Sequence, residues 1–324
     1  MSAVGRRFIV VGGAGFIGSH VVERLLRTGA ALVTVYDNFS SGRMWHLQHG
    51  RIEPRMKVVR GDVADLPLLA NAMKGHDTAI HLASNPDISK AATEPDIDFY
   101  QGTLLTQQVL EAMRQTKVRR LLYASGSGVY GERGDTPLGE DDGPLLPIST
   151  YGASKLAGEA MIASYCAMFG MTARSFRFGN VVGPRQTHGV GLDFLRRLRK
   201  DRERLRILGD GSQSKPYIHV SDVVQAMLVA DEAAEGGFDV FNVATEDGLR
   251  VDEIARLALR CASVEGNVTL EYTGGDRGWK GDVPVVRLRT EKIRAMGWQP
   301  GLCSREAMER ALTEMHEDER HFWM

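Results

Sequence analysis

The chain has 324 residues, enough to bury a large core and to form two domains, or one domain with a substantial lobe. Forty Lys and Arg against 41 Asp and Glu leave a formal net charge of -1, so no global field recruits nucleic acid or an anionic membrane. Cys166, Cys261 and Cys303 have neither metal-ligand nor redox-pair spacing, the nine histidines form no His-Glu-x-x-His cluster, and no apolar run reaches the length of a bilayer span. With no signal-peptide core in the opening residues, the expectation is a cytoplasmic protein with reduced thiols and no metal.

The first predicted strand is the apolar run Phe8 to Val11. After it, Gly12-Gly13-Ala14-Gly15-Phe16-Ile17-Gly18 forms a tight turn into a helix, whose apolar residues Phe16, Ile17, Val21, Val22, Leu25 and Leu26 recur at helical spacing until Gly29. Gly12, Gly15 and Gly18 let the backbone approach a pyrophosphate, and the helix N-terminus, with Phe16 and Ile17 in its first turn, offers free N–H groups and partial positive charge. A second strand, Ala31 to Tyr36, ends in Asp37, about 20 residues past the glycines, where a carboxylate accepts a ribose 2′-OH. That carboxylate would repel a 2′-phosphate, and Arg43 is the nearest Arg, so the expected cofactor is NAD.

The alternation continues through a strand Met56 to Val59, a helix Asp65 to Met73, a strand Thr78 to Leu82 and a long helix from about Pro95 to Arg114. Next come a strand Arg120 to Ala124, a helix Thr150 to Met168 and a strand Thr172 to Phe178. This pattern predicts an α/β fold, a doubly wound parallel sheet of Rossmann type with ligands outside the carboxyl ends of the strands. From about Gly179 glycine-rich loops break the rhythm, which predicts a smaller mixed α/β C-terminal lobe with helices Ser221 to Ala234, Val251 to Ala262 and Arg305 to Glu317. The expected division is residues 1–178 for the NAD-binding domain and 179–324 for a substrate lobe, with 240–244 returning to the first domain. The basic run from Arg196 to Arg206 reads as a solvated helix face and receives no function.

Tyr151-Gly152-Ala153-Ser154-Lys155 is the sharpest catalytic signal. Residues four apart share one helix face, so the Lys155 ammonium can lie near the Tyr151 phenol. An adjacent ammonium and an oxidised nicotinamide both favour the phenolate, which makes Tyr151 a usable general base.

With these motifs the chain resembles the extended short-chain dehydrogenase/reductase family, in particular its nucleotide-sugar epimerases and dehydratases. The likeness runs through Gly12, Gly15 and Gly18, Asp37-Asn38, Gly61-Asp62-Val63, His81-Leu82-Ala83, Val129-Tyr130-Gly131 and Tyr151 to Lys155. It continues through Arg177-Phe178-Gly179-Asn180, Gly183-Pro184-Arg185, Gly209-Asp210-Gly211, Tyr217-Ile218-His219-Val220 and Gly281-Asp282-Val283-Pro284. The resemblance implies that Asn38 belongs to the cofactor site, that Asp62 and Val63 meet the adenine, and that Leu82 and Ala83 line the cofactor channel. It also implies that Lys155 holds the nicotinamide ribose and that Asn180, Lys215 and Arg277 bind the diphosphate of a nucleotide sugar, most simply a UDP-hexose.

The chain departs from the family pattern at three places. Gly126 occupies the position of the catalytic Ser or Thr, leaving the flanking Ser125 or Ser127 to bridge substrate and Tyr151, with Ser125 preferred. Phe99 replaces an Asn before Gly102-Thr103, and Lys215-Pro216 replaces Arg-Asp, which loses a bidentate fork. The leading expectation is an NAD-dependent nucleotide-sugar 4-epimerase, an isomerase working through a transient 4-keto sugar. A C4 dehydrogenase, a 4,6-dehydratase, disfavoured by Ser127-Gly128 where dehydratases carry Asp-Glu, and a non-catalytic NAD-binding scaffold or sensor stay open. The resemblance further implies a homodimer joined through the helices Pro95 to Arg114 and Thr150 to Met168. Candidate contacts are Leu104, Leu105, Val109 and Leu110 on one, and Leu156, Met161 and Ile162 on the other.

Overall fold

The computed structural model describes residues 3–50, 53–233 and 236–322. In chain order the first half contains β1 (Arg7–Val11), α1 (Phe16–Arg27), β2 (Leu32–Asp37), β3 (Met56–Arg60), α2 (Leu66–Met73), β4 (Thr78–His81), α3 (Leu104–Thr116), β5 (Arg120–Gly126), α4 (Thr150–Phe169) and β6 (Thr172–Phe178). The second half adds β7 (Asn180–Val182), α5 (Val190–Lys200), β8 (Arg204–Ile207), β9 (Ser214–Lys215), β10 (Tyr217–His219), α6 (Val220–Glu232), β11 (Phe238–Val243), β12 (Leu249–Arg250), α7 (Val251–Cys261), β13 (Thr269–Tyr272), α8 (Glu291–Arg294) and α9 (Ser304–Phe322).

Seven of these strands form one parallel sheet in the order β11-β6-β5-β4-β1-β2-β3. Its central strands are apolar on both faces, as a sheet covered by helices on both sides requires; Phe8, Ile9, Val10 and Val11 are all fully buried. The strand order reverses between β1 and β4, so a crevice opens there at the carboxyl edge, where ligands of this architecture bind. The late strand β11 pairs with residues 173–178 of β6, tying residues 238–243 into the large sheet. A separate apolar cluster, including Leu192, Phe194, Leu205, Ile254, Leu257, Met308 and Leu312, forms the core of the lobe built by α5, α7 and α9.

Several boundaries differ from the sequence expectation. The long helix starts at Ile97 and passes through a π-helical turn, Phe99–Thr103, before α3, because Pro95 and Asp96 sit in a turn. The basic run divides between α5, which ends at Lys200, and β8, where Arg204 and Arg206 are exposed on alternate positions. α6 ends at Glu232, and Ala234, the expected last residue of that helix, lies outside the described residues. Val109, Leu110 and Ile162 pack into the core of their own chain, while Phe99, Tyr100, Met168 and Phe169 are the exposed large apolar residues of these two helical segments. Among the described residues no helix is long and apolar enough to cross a membrane.

Candidate active site

The turn between β1 and α1 depends on its glycines at two points. Gly12 has φ +83°, and a Cβ on it would lie 2.7 Å from the Ala83 nitrogen; a Cβ on Gly18 would lie 2.2 Å from the Gly12 carbonyl oxygen. α1 begins without a side-chain cap and without an acid in its first turn, so no side chain occupies the N–H groups that a phosphate would take. Leu82 and Ala83 both donate their backbone N–H to Val11, which draws the end of β4 against the turn.

Asp37 braces this cradle as well as facing it. Its carboxylate accepts the Ala14 N–H at 2.9 Å and the Phe39 N–H at 2.7 Å. Burial raises its pKa, and the N–H groups of Phe39, Ala14 and Gly15 oppose that shift. Asn38 donates to Asp62 at 2.9 Å, Asp62 also accepts from the Ala64 N–H, and Val63 is buried behind it. A cavity of about 370 Å³, lined by Phe39, Gly42, Arg43, Met44, Val58 and Arg60, opens at the same strand ends. A bare helix N-terminus, a turn closed to Cβ atoms and a buried carboxylate at the second strand together fit a dinucleotide.

Tyr151 and Lys155 lie in the first half of α4, beside the ends of β4 and β5. The Lys155 ammonium donates to the Ala124 carbonyl at 2.9 Å and sits 5.3 Å from the centroid of the Tyr151 ring. Burial lowers the Lys155 pKa to about 8, against an opposing effect of Asp98. Burial pushes the Tyr151 phenol up to about 12; the Ser84 hydroxyl beside it works the other way, and Asp98 adds to the rise. Burial thus favours the neutral phenol, and the expected lowering by the Lys155 ammonium and an oxidised nicotinamide belongs to the cofactor-bound site.

The two candidate hydroxyls differ sharply. Ser125, the preferred one on sequence, is 4% exposed and donates its hydroxyl to Glu159 at 2.6 Å, which commits its proton away from Tyr151. Glu159 is the centre of a buried network: Arg177 donates to it at 2.7 and 3.1 Å, Ser175 at 3.3 Å, and Arg177 continues to the Tyr130 hydroxyl at 2.9 Å. Ser127 opens the 3-10 turn Ser127–Tyr130. Ser84, just after β4, has a buried Oγ that makes no hydrogen bond among the described residues. Glu159 was missed, although Tyr151, Lys155 and Glu159 form one i, i+4 row on α4.

The second lobe gathers the residues expected at the diphosphate around Asp282. Lys215 pairs with the Asp282 carboxylate, and Arg277 donates to the Asp282 carbonyl at 2.7 Å. One guanidinium nitrogen of Arg277 also donates to both carboxylate oxygens of Glu132, at 2.8 and 2.9 Å, which bridges the lobe to the loop after Tyr130. Asn180 begins β7 alongside Tyr217 of β10, whose ionisation it and Asp282 both influence. Residues 279–281 lie against Ile148 and Ser149 at the start of α4, since a Cβ on Gly281 would meet the Ile148 carbonyl at 3.4 Å. Lys215 and Arg277 are thus near one another and each already holds a carboxylate.

Comparison with known proteins agrees with this arrangement. The profile of the NAD dependent epimerase/dehydratase family matches residues 8–244. A UDP-glucose 4-epimerase of Mycolicibacterium smegmatis is 35% identical over 309 residues, covering 93% of this chain and 96% of that protein. The crystal structure of a Thermus thermophilus UDP-glucose 4-epimerase in complex with NAD is 30% identical, with a TM-score of 0.82 over 95% of this chain and 98% of that one. A Thermotoga maritima UDP-glucose 4-epimerase crystallised with UDP-glucose is 29% identical, with a TM-score of 0.85 over 96% and 99%.

Proposed function

The chain belongs to the NAD dependent epimerase/dehydratase family, and from that premise we propose that it inverts C4 of a UDP-hexose. The observation that carries the reading is the placement of Tyr151 and Lys155 next to the dinucleotide cradle, in a chain whose full-length relatives are named UDP-glucose 4-epimerases.

Gly12, Gly15, Phe16, Ile17, Gly18, Asp37, Asn38, Asp62, Val63, Leu82 and Ala83 hold NAD in this reading. Bound there, NAD would supply a reversible hydride acceptor for the sugar C4. Tyr151 takes the proton of the C4 hydroxyl and later gives it back, and the Lys155 ammonium supports the phenolate and holds the ribose of the nicotinamide half. Asn180, Lys215 and Arg277 anchor the nucleotide diphosphate from the second lobe, so binding energy is drawn from a part of the substrate that does not react. Anchoring by the diphosphate alone would leave the hexose free to present either face at C4.

The division into an NAD-binding domain, residues 1–178, and a sugar-nucleotide lobe, 179–324, belongs to the same reading, with 238–243 physically in the large sheet. So does a homodimer through α3 and α4, supported by the exposed Phe99, Tyr100 and Met168; sedimentation as a monomer at micromolar concentration would reject it. A cytoplasmic setting, in which Cys166, Cys261 and Cys303 remain free thiols, completes it.

The test is Tyr151→Phe in NAD-loaded protein. The variant keeps its NAD and loses about 10²-fold or more in kcat, the usual contribution of a positioned general base. Retention of at least about a tenth of kcat would remove Tyr151 from that role.

A further inference from the structure

Asp98 lies in the first turn of the helix that starts at Ile97, just before the π-helical turn Phe99–Thr103. An exposed acid there would need no explanation, since a helix N-terminus favours negative charge. Asp98, however, is 1% exposed. One of its carboxylate oxygens accepts the Asn85 side-chain N–H at 2.9 Å, and the other accepts the Thr150 hydroxyl at 2.7 Å. Among the described residues these are its side-chain partners, and neither is a cation. Burying a carboxylate against neutral donors alone is costly, and such groups concentrate where a reaction uses them.

Both partners border the reaction centre. Asn85 lies two residues past Ala83, whose nitrogen packs on Gly12 of the cofactor turn, and its own backbone N–H donates to the Gln101 carbonyl of the π-turn at 3.1 Å. Thr150 is the first residue of α4 and immediately precedes Tyr151. A second contact fixes the same register: a Cβ on Gly102 would stand 2.7 Å from Ser154 Oγ, so the π-turn lies against α4 between Tyr151 and Lys155. Single π-helical turns of this kind are frequent at functional sites. Asp98 therefore ties three segments at one buried point: the exit of β4, the π-turn and the first turn of α4.

We propose that Asp98 is a positioning residue for the Tyr151 proton transfer: through Asn85 and Thr150 it sets the first turn of α4 against the exit of β4, and so fixes where the phenol stands relative to the cofactor cradle. The proposal rests on the reading of Tyr151 as general base given above. The Asp98 charge has a second effect. Burial dominates the ionisation of both side chains, lowering Lys155 and raising Tyr151, and on top of it Asp98 pushes both upward. Of the other ionisable groups facing this pair, burial keeps His81 of β4 neutral and pushes the Tyr123 phenol of β5 up, while Glu159 of α4 is engaged by Arg177 of β6. Removing the Asp98 charge therefore moves both titrations to lower pH.

The experiment compares Asp98→Asn, Thr150→Val and Thr150→Ser in NAD-loaded protein. It measures kcat and KM for UDP-glucose across pH, and titrates the Lys155 side chain by its carbon NMR resonance, assigned against Lys155→Arg. Thr150→Val, which keeps the size and removes the hydroxyl, lowers kcat about tenfold or more with KM within about threefold, as a displaced reacting group does. Thr150→Ser, which keeps the hydroxyl, stays within about threefold of wild type in kcat. Asp98→Asn loses at least as much kcat as Thr150→Val and moves the Lys155 titration to lower pH, whereas both Thr150 variants leave that titration in place. Equal kcat in Thr150→Val and Thr150→Ser, an Asp98→Asn kcat within about twofold of wild type, or an unmoved Lys155 titration in Asp98→Asn would overturn the assignment. If Asp98→Asn fails to fold, the Thr150 pair decides alone. The Lys155 titration needs no turnover, so a wild-type protein inactive on UDP-hexoses would refute the epimerase reading while the placement of Asp98 is still read separately.

Discussion

Glu159→Ala should be the most destabilising single substitution behind the active site. The Arg177 and Glu159 side chains are 4% and 5% exposed, and the carboxylate receives two guanidinium bonds as well as the hydroxyls of Ser125 and Ser175. Burial alone would lower the Arg177 pKa; Glu159 and the Tyr130 oxygen hold it above its ordinary value, so the guanidinium stays charged in the core. Among the described residues, truncation leaves that charge only the Tyr130 hydroxyl and the Glu140 carbonyl as acceptors, and takes the acceptor from Ser125 and Ser175. Breaking one side of a buried ion pair costs about 3–5 kcal/mol, whereas replacing both sides with apolar residues is often near neutral. Urea unfolding followed by circular dichroism, at fixed NAD, should show that loss in Glu159→Ala with an unchanged m-value, and recovery of most of it in Glu159→Leu/Arg177→Met. A loss below about 1 kcal/mol in the single variant would refute the claim that this network carries a buried charge.

Glu132→Gln removes the carboxylate that holds Arg277, and because the pair is largely exposed, its release should lower KM for UDP-glucose by only about two- to fivefold with kcat unchanged. A raised KM in steady-state assays would show that Glu132 positions Arg277 instead of competing for it. Acid should weaken the fold between pH 6.5 and 4. Burial lowers the pKa of His46 to about 4 and of His81 to about 3, so below 6.5 the unfolded chain binds protons that the folded one refuses, and stability present above 6.5 is lost as pH falls. The loss is on the order of 1 kcal/mol per histidine at pH 5, read as a lower urea midpoint at constant ionic strength; equal midpoints at pH 7 and 5 would contradict it. His46 accounts for a functional part of this, since its Nδ1 holds the Ala14 carbonyl of the cofactor turn at 2.8 Å.

The geometry of the proposed cofactor cradle was legible in the sequence because it is local. Gly12 to Gly18 and Asp37 are joined by one strand, one turn and one helix, and their roles follow from backbone geometry that glycine and a strand-end carboxylate impose. Tyr151 and Lys155 were legible for the same reason, four residues apart on α4. What the sequence concealed is long-range. The commitment of Ser125 to Glu159, of Lys215 to Asp282 and of Arg277 to Glu132 depends on pairs 34, 67 and 145 residues apart, and no local spacing announces them. The burial that raises the Tyr151 phenol is likewise a product of packing, invisible to a count of neighbouring charges.

The central claim is tested most directly by incubating purified, NAD-loaded protein with UDP-glucose and, separately, UDP-N-acetylglucosamine and UDP-glucuronate, and resolving the products by NMR. The account predicts inversion at C4 of one of these sugars, approached from either epimer, with no accumulation of NADH and no loss of water. A 4-keto-6-deoxy sugar would contradict it in favour of a dehydratase, stoichiometric NADH with a 4-keto sugar in favour of a dehydrogenase, and no conversion of any of them would reject the assignment to UDP-hexoses.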